Sequence, residues 1–579
     1  MTFTVNSQSG ARASASIEAM HVLSATEMQT CDRATSERFG VASIDLMRAA
    51  AAAVAAFARR QFPQAQRVTV LCGTGNNGGD GMMAARLLAH AGLDVATLLL
   101  GSPDKLTGDA AKAWQELNGP EQSESKSSAI YIVATEEDLA QREANLHADL
   151  ILDAVVGTGF KPPLNGLALA AHEWLKARKG PVLAVDLPSG WPADETAAHL
   201  REPVFPADAV ITFTAPKPAH VFGLLTRAWN QAVVVAPIGS PEEAIVSELK
   251  LEWAGSAMEL VHSPRSATAN KGNFGHVLVV GGTFGPAGGK AGAPAMTALA
   301  AMRAGAGLVT AAVPAKAMSV VSLIAPELMT WPLEATGSGC ISDSNLAPAR
   351  LTQLLEDKSV LAIGPGLGQS VETANFTREL LAATRIPAVI DADALNILAE
   401  NPDQLAELAK GRTVVLTPHP GEMARLAGTT VTEVQAHRLE TALAFAVRHG
   451  LTVVLKGART IVAHANGRVA VNTSGNPGMA KGGSGDLLTG LIAGMLAQFP
   501  GEAARAVEAA VYLHGLAADL AVRAGDEHTL LATHSLKYLS RAFRMRVSHF
   551  RNHGGNRYVW LQGLPAESLP VTGSHEAAE

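Results

Sequence analysis

The chain has 579 residues, 47% hydrophobic and 17% charged, a globular composition at a length that calls for two substantial cores. Lys and Arg number 46 against 53 Asp and Glu, a formal net charge of −7, and no basic stripe interrupts that balance, which argues against nucleic-acid binding. Three cysteines without paired spacing, Cys31, Cys72 and Cys340, argue against a disulfide framework and a thiolate metal site and suit a reducing compartment. The first twenty residues lack the apolar stretch of a secretory signal. The longest uniform run, residues 49–58, is far short of the roughly 20 apolar residues of a membrane span. A soluble, cytoplasmic protein with no membrane partner is expected.

Short β-branched runs alternate with Ala- and Leu-rich helical patterns, the signature of parallel α/β architecture. In the first half, strands are expected over 68–72, 95–100, 130–133, 150–156, 182–186, 210–213 and 232–235, with helical stretches such as 81–91 and 167–179 between them. Past Pro237 the pattern lapses until about Lys271, and the boundary between a first domain, 1–245, and a second, 246–545, is placed there. The second half begins afresh with a strand over 276–280 and a helix running through Ala304. Further strands are expected over 308–313, 360–363, 388–391, 414–416 and 453–455, and long helices over 486–496 and 503–520. From Arg546 the periodicity is lost, and 546–579 reads as a tail of unassigned role.

The strand 68–72 runs straight into Gly73-Thr74-Gly75-Asn76-Asn77-Gly78-Gly79-Asp80-Gly81. This contains GxGxxG, but the nearest suitable acid, Asp94, precedes the next strand, whereas a ribose-binding carboxylate follows it. Hydride transfer is therefore poorly supported. The glycines still let backbone N–H groups approach a phosphate at a helix N-terminus; a tight turn without ligand is the plainer reading. Asp153 interrupts an apolar strand that leads into Gly157-Thr158-Gly159-Phe160, and Asp186 ends the strand before Leu187-Pro188-Ser189-Gly190. Ligands of open parallel sheets bind beyond the C-terminal strand ends, so loop, aspartates and Ser189 should converge on one pocket. A carboxylate in an apolar run is costly unless paired or bound to a cation; for either aspartate alone a structural or capping role stays open.

The second half carries polar strand ends at Gly364-Pro365-Gly366, Asp391-Ala392-Asp393, Thr417-Pro418-His419-Pro420, Lys456-Gly457-Ala458 and Lys481-Gly482-Gly483-Ser484-Gly485-Asp486. Glycines followed by Asp at a helix start make an anion hole with a carboxylate beside it, able to take a proton from a hydroxyl as it attacks phosphorus. It is not a Walker loop, because Lys481 precedes the glycines. Asp486 as a helix N-cap is the plainer reading; His419 as a rigid turn residue and Lys456 as a snorkelling lysine are the others.

These motifs carry two resemblances. GNNGGDG, VVGTG, VDLPSG and MQTCDRATSERFGVASIDLMRAA, across roughly residues 24–240, resemble the NAD(P)H-hydrate epimerase (YjeF N-terminal) family. That resemblance implies a Rossmann-like α/β/α sandwich and a potassium ion on Asn77, Asp153 and Ser189. It implies hydrate contacts from Asn76, Asn77, Gly78, Gly79, Asp80, Gly157, Thr158, Gly159, Phe160, Lys161, Pro162, Pro163 and Asp186, with Asp186 the candidate catalytic acid/base. KGNFGHVLVVGG, GPGLG, DADALN, TPHPGE, LKGART and NTSGNPGMAKGGSGDLLTG, across about 270–525, resemble the ribokinase-like NAD(P)H-hydrate dehydratase (YjeF C-terminal) family. The implied hydrate contacts are Ala293, Gly366, His419 and Asp486, with Asp486 the catalytic base. The implied nucleotide contacts are Lys456, Gly457, Ala458, Arg459, Thr460 and Gly485. ADP, with magnesium, is the expected phosphoryl donor. The whole reads as a two-domain α/β repair enzyme for hydrated NADH and NADPH and as a homo-oligomer. A ribokinase-like small-molecule kinase fused to a dinucleotide-binding sensor is the alternative. The departure from family pattern lies at the C-terminus, where Ala532-Thr533-His534-Ser535-Leu536 and then the tail put the final helix in doubt.

Overall fold

The structure, a computed structural model, describes residues 19–119, 128–142, 148–286, 288–545, 550–551 and 557–565. The first half supplies β1 (Arg67–Cys72), β2 (Asp94–Leu100), β3 (Ser128–Val133), β4 (Leu150–Ala154), β5 (Val182–Val185), β6 (Ala209–Phe213) and β7 (Ala232–Ala236). The second supplies β8 (Leu251–Trp253), β9 (His276–Val280), the hairpin β10 (Phe284–Gly285) and β11 (Gly288–Gly289), then β12 (Leu308–Pro314), β13 (Met329–Leu333) and β14 (Val360–Ile363). It continues with β15 (Ala388–Ile390), β16 (Val414–Leu416), β17 (Thr452–Leu455), β18 (Ile461–Ala463) and β19 (Val469–Val471). Two short strands follow at the C-terminus, β20 (Phe550–Arg551) and β21 (Arg557–Gln562).

Several of these strands, β5, β7, β14 and β16 among them, are unbroken apolar runs buried along their length, the pattern of strands covered by helices on both faces. β1 to β7 lie in the order β7-β6-β5-β4-β1-β2-β3 and pair in parallel. β17-β16-β15-β14-β9-β12-β13 repeats that winding in the second half. Each sheet therefore reverses direction once, between β4 and β1 and between β14 and β9, and a cleft opens beyond the strand ends at such a point. Asp94 opens β2 opposite Arg67, at the end of the sheet away from that cleft, so it cannot serve as a ribose acid.

Four differences separate the structure from the sequence reading. The first glycine-loop helix spans Asn76–His90, five residues earlier than expected, with Gly75 as its N-cap; Asn76 to Asp80 are helical residues, not loop. β8, β18 and β19, three residues each, are too short to show a period. β13 carries Pro332 and is partly exposed, as suits a sheet edge. The final helix, in doubt from sequence, forms over Ala532–Arg544 and buries Leu536 and Leu539.

The tail contains the least expected element. β21 pairs antiparallel with β7, Val559 opposite Val235 and Trp560 opposite Val234, and so extends the first-half sheet. Tyr558 and Trp560, two apart and therefore on one face, pack on Phe57 at centroid distances of 5.6 and 6.1 Å. The Tyr558 hydroxyl donates to the Ala53 carbonyl at 3.1 Å. Leu561 joins a continuous apolar cluster that runs from Val277 and Leu361 of the second half to Val233 and Leu225 of the first. The halves thus share packing. Among the described residues no helix is long and apolar enough to cross a membrane.

Tyr558 is fully buried, so Tyr558→Ala should cost the intact chain about 3–5 kcal/mol, as large aromatic truncations do. Denaturant unfolding checks this; a loss below about 1 kcal/mol would mean that β21 is a loosely held appendage.

Two candidate active sites

The first cavity, about 650 Å³, lies at the β4/β1 reversal and includes Asn76, Asn77, Asp80, Thr158 and Asp186 in its walls. Its glycines serve close approach: a Cβ on Gly78 would sit 1.9 Å from the Gly73 carbonyl oxygen, and one on Gly157 2.8 Å from Asp186 Oδ2. Gly157, Thr158, Gly159 and Phe160 are also wall residues. Gly78 and Gly79 are buried beneath the wall, and Lys161, Pro162 and Pro163 are exposed beyond it.

Asp186 follows β5 with a left-handed φ of 65°, a costly conformation for a residue with a side chain and a common one at functional sites. Its Oδ2 accepts from Thr158 N at 2.7 Å and Thr158 Oγ1 at 2.6 Å, and its Oδ1 from Lys217 Nζ and Thr212 Oγ1, both at 2.9 Å. Those four bonds use the four lone-pair directions of a carboxylate. Burial alone would raise its pKa, but the Lys217 ammonium and the hydrogen bonds hold it well below the usual carboxylate range. With those donors in place Asp186 stands ionised on the cavity wall. His220 Nε2 lies 2.8 Å from the Asp186 carbonyl oxygen, while its Nδ1 accepts from Lys217 N. That fixes the neutral Nε2–H tautomer, and burial pushes its pKa down to about 4.

Two further carboxyls, Asp32 and Asp80, lie on the cavity wall. Burial raises Asp32 to about 6 against the attraction of Lys217, and its Oδ1 is buried without a hydrogen-bond partner. Asp80 is pushed well above the usual range by burial and by Asp186 and Asp32. Sequence reading missed Asp32 and Lys217: one sits mid-helix in Ala25–Glu37, the other four residues past β6, and neither belongs to a glycine motif.

Asp153 and Ser189 form a buried pair behind this wall. Ser189 Oγ donates to Asp153 Oδ1 at 2.5 Å and Ser189 N to Oδ2 at 2.8 Å, while burial lifts Asp153 to about 6. Val156, hydrogen-bonded to Ser189 Oγ at 3.0 Å, adjoins Gly157, whose Cβ position is 3.0 Å from Asn77 Cγ. Both polar atoms of the Asn77 side chain are buried without a hydrogen-bond partner. An orphaned amide oxygen, a hydroxyl and a carboxylate without a cationic neighbour form an oxygen-only set that fits a hard cation.

The second cavity, about 950 Å³, gathers His419, the Lys456 to Thr460 run, Gly485 and Asp486. Lys456 Nζ donates to Asp391 Oδ1 at 2.8 Å and lies 3.6 Å from Glu422 Oε2. Burial would lower its pKa, but the two carboxylates raise it and keep it charged. Asp391, the missed residue here, also accepts from Thr489 Oγ1 at 2.8 Å; its signal was a strand-end Asp in an apolar run, like Asp186. Asp486 is not a cap: the N-cap of Ser484–Gln498 is Gly483, and Asp486 lies three residues inside. Burial and Asp391 raise it to about 6, against Lys456. His419 is a cap as well as a wall residue, its Nδ1 accepting from Gly421 N at 3.0 Å; burial and Lys456 lower its pKa. Ala293 and Gly366 meet at the β14/β9 reversal, 3.3 Å from the Gly366 Cβ position to Ala293 Cβ, outside the cavity walls proper. The Arg459 side chain turns away into the seam between the halves.

Two doubly wound α/β halves, each with a cavity of ligand size and a buried lysine–aspartate pair at its strand ends, define a bifunctional enzyme. Residues 277–541 match the family model described as NAD(P)H-hydrate dehydratase, and residues 43–219 match that of the YjeF-related protein N-terminus. The chain is 38% identical to the bifunctional NAD(P)H-hydrate repair enzyme of Moorella thermoacetica, over 91% of this chain and 97% of that one. It is 35% identical to the enzyme of that name from Escherichia coli, over 91% and 95%. The chain belongs to the bifunctional NAD(P)H-hydrate repair enzyme family.

Lys217 is 2% exposed, and removing one partner of a buried ion pair leaves an uncompensated charge. Lys217→Met should destabilise the chain by about 3–5 kcal/mol, and adding Asp186→Asn should recover much of it. Thermal unfolding of both variants checks this; equal stability of the single and double variants would show that the pair does not matter.

Proposed function

We propose that the first cavity interconverts the R and S hydrates of NADH and NADPH, and that the second dehydrates the S hydrate at the expense of ADP. The observation that carries the second half of this reading is Asp486, raised by burial and set beside the Lys456–Asp391 pair at a glycine-rich helix start. The helix start and Lys456 suit phosphate oxygens. Asp486 takes the proton of the ring hydroxyl as its oxygen attacks the terminal phosphorus, and AMP leaves. Phosphate is then a good leaving group, and its departure with a ring proton restores the dihydropyridine. Among the described residues no cluster of three or more His, Cys, Asp or Glu could hold a metal, so magnesium would ride mainly on the nucleotide phosphates.

In the first cavity the reacting carbon bears a hydroxyl next to the ring nitrogen. A carboxyl whose pKa burial raises, Asp32 or Asp80, gives its proton as the hydroxyl leaves as water, and the ring nitrogen stabilises the cation. Water re-added from the other face returns the proton and yields the other epimer. Asp186 and Lys217 keep the wall in place. Potassium on Asn77, Asp153 and Ser189 would supply a fixed positive charge to that wall.

Asp486→Asn, with no capping role to confuse the result, should lower ADP-driven recovery of NAD(P)H absorbance about 10²- to 10⁴-fold while epimer exchange continues. In the wild type the same rate should fall as pH drops through about 6, where the base becomes protonated. Near-normal turnover in the variant sinks the assignment. A lasting phosphorylated product in place of NAD(P)H would favour a small-molecule kinase. For the cation, KCl should raise the melting temperature of the wild type more than NaCl does, and Asp153→Ala should abolish that difference and weaken epimer exchange alone. A difference that persists in Asp153→Ala removes the shared ion site.

A further inference from the structure

We propose that the nucleotide cavity is completed from outside the second half: Trp229 is a contact for the adenine ring, and Gln562 of β21 is a positioning residue that acts through Arg459. The proposal rests on the reading of that cavity as the nucleotide site.

Leu224 and Trp229 of the first half and Gln562 of the tail line the same cavity as Lys456, Gly485 and Asp486. Trp229 is half-buried, and its indole N–H donates to Glu527 Oε2 at 3.2 Å. With its polar edge tied there, the rest of the indole offers an apolar surface to the cavity, the surface on which a base stacks. Glu527 lies in the turn whose His528 carbonyl accepts from Lys481 Nζ, so the first half touches the start of the glycine motif through Trp229.

Arg459 belongs to the Lys456 to Thr460 run and takes a left-handed φ of 54°. Its guanidinium is buried, and burial pulls its pKa down to about 10. Among the described residues no carboxylate is a hydrogen-bond partner of Arg459: it donates to the Gly223 carbonyl at 2.8 Å, the Thr473 carbonyl at 3.4 Å and Gln562 Oε1, while Nε is buried without a described partner. A buried cation whose hydrogen-bond partners are neutral oxygens, with Asp519 acting on it only through space, is costly to leave under-bonded, so each acceptor matters. Gln562 is fixed in turn by donating to Thr226 Oγ1 at 2.8 Å and the Gln231 carbonyl at 3.0 Å. The tail therefore sets the side chain on which the strained backbone of the nucleotide run is anchored.

The experiment uses the full chain and follows NAD(P)H recovery against ADP concentration at saturating S hydrate, with ADP binding by calorimetry. Trp229→Ala should raise the KM and Kd for ADP about tenfold with kcat within about twofold, while Trp229→Phe keeps most of the affinity. Gln562→Ala should raise KM about fivefold, and Gln562→Glu, which restores an acceptor for Arg459, should recover it. Epimer exchange should not change in any of the four. Wild-type ADP affinity in Trp229→Ala or Gln562→Ala, or failure of the Phe and Glu variants to recover it, overturns the proposal. If the wild type neither binds ADP nor saturates with it, the nucleotide reading itself fails, a result distinct from unchanged KM values in an enzyme that ADP does saturate.

Discussion

Each half of the molecule depends on one buried lysine–aspartate pair at the end of the fifth strand in its winding order. In the first half it is Asp186 after β5 with Lys217; in the second, Asp391 after β15 with Lys456. A lone carboxylate at either place would face the desolvation cost of a buried charge, and the lysine makes it tenable. The position is not accidental, since a reversal of strand order opens the cleft at that same end of the sheet. Backbone strain accompanies both pairs, with φ of 65° at Asp186 and 50° at Ala392.

The two pairs leave different groups free for chemistry. Asp186 has its lone pairs filled, while beside it Asp32 and Asp80 are raised first by burial and then by the like charge of Asp186. Asp391 likewise raises Asp486. In both halves a neighbouring aspartate adds like-charge repulsion to the effect of burial on another carboxyl. A group near 6 transfers a proton at neutral pH more readily than an unperturbed carboxylate.

Sequence made the strands, the two sheets and the glycine-rich ends legible, because runs such as those of β5 and β14 are apolar throughout, β5 following Pro181 and β14 leading into Gly364. Motif context brought Asn76, Asn77, Thr158 and Asp186 to one wall, and His419, Lys456 and Asp486 to another. What stayed hidden was long-range. Asp32 on its helix looks like any surface acid, and Lys217 like any loop lysine, until folding puts both at Asp186. The helix over Asn76–His90 starts inside a run of Asn and Gly, residues of low helix propensity, so its first turn read as loop. β21 is a six-residue run behind an aperiodic stretch, and only its partner β7, over three hundred residues away, gives it meaning.

Buried carboxylates also set opposite pH demands on the fold. Asp153 and Asp519 have folded pKa values near 6, above the unfolded value of 3.8. The folded state then binds more protons than the unfolded chain between those values, and stability falls as pH rises through that window. Asp186 works the other way: its folded pKa is depressed, so its contribution is present above the unfolded pKa and is lost as pH falls towards the folded value. Asp519 meets the rising demand with donors, Gly475 N at 2.9 Å and Asn476 Nδ2 at 2.8 Å. Asp153 has backbone donors and the Ser189 hydroxyl but no cationic side chain. A cation shared with Asn77 would lower the Asp153 pKa and remove its penalty at neutral pH, and would satisfy the Asn77 oxygen by the same contact. One ion would thus answer two separate deficits of the first half, a buried carboxylate without a countercharge and a buried amide without a partner.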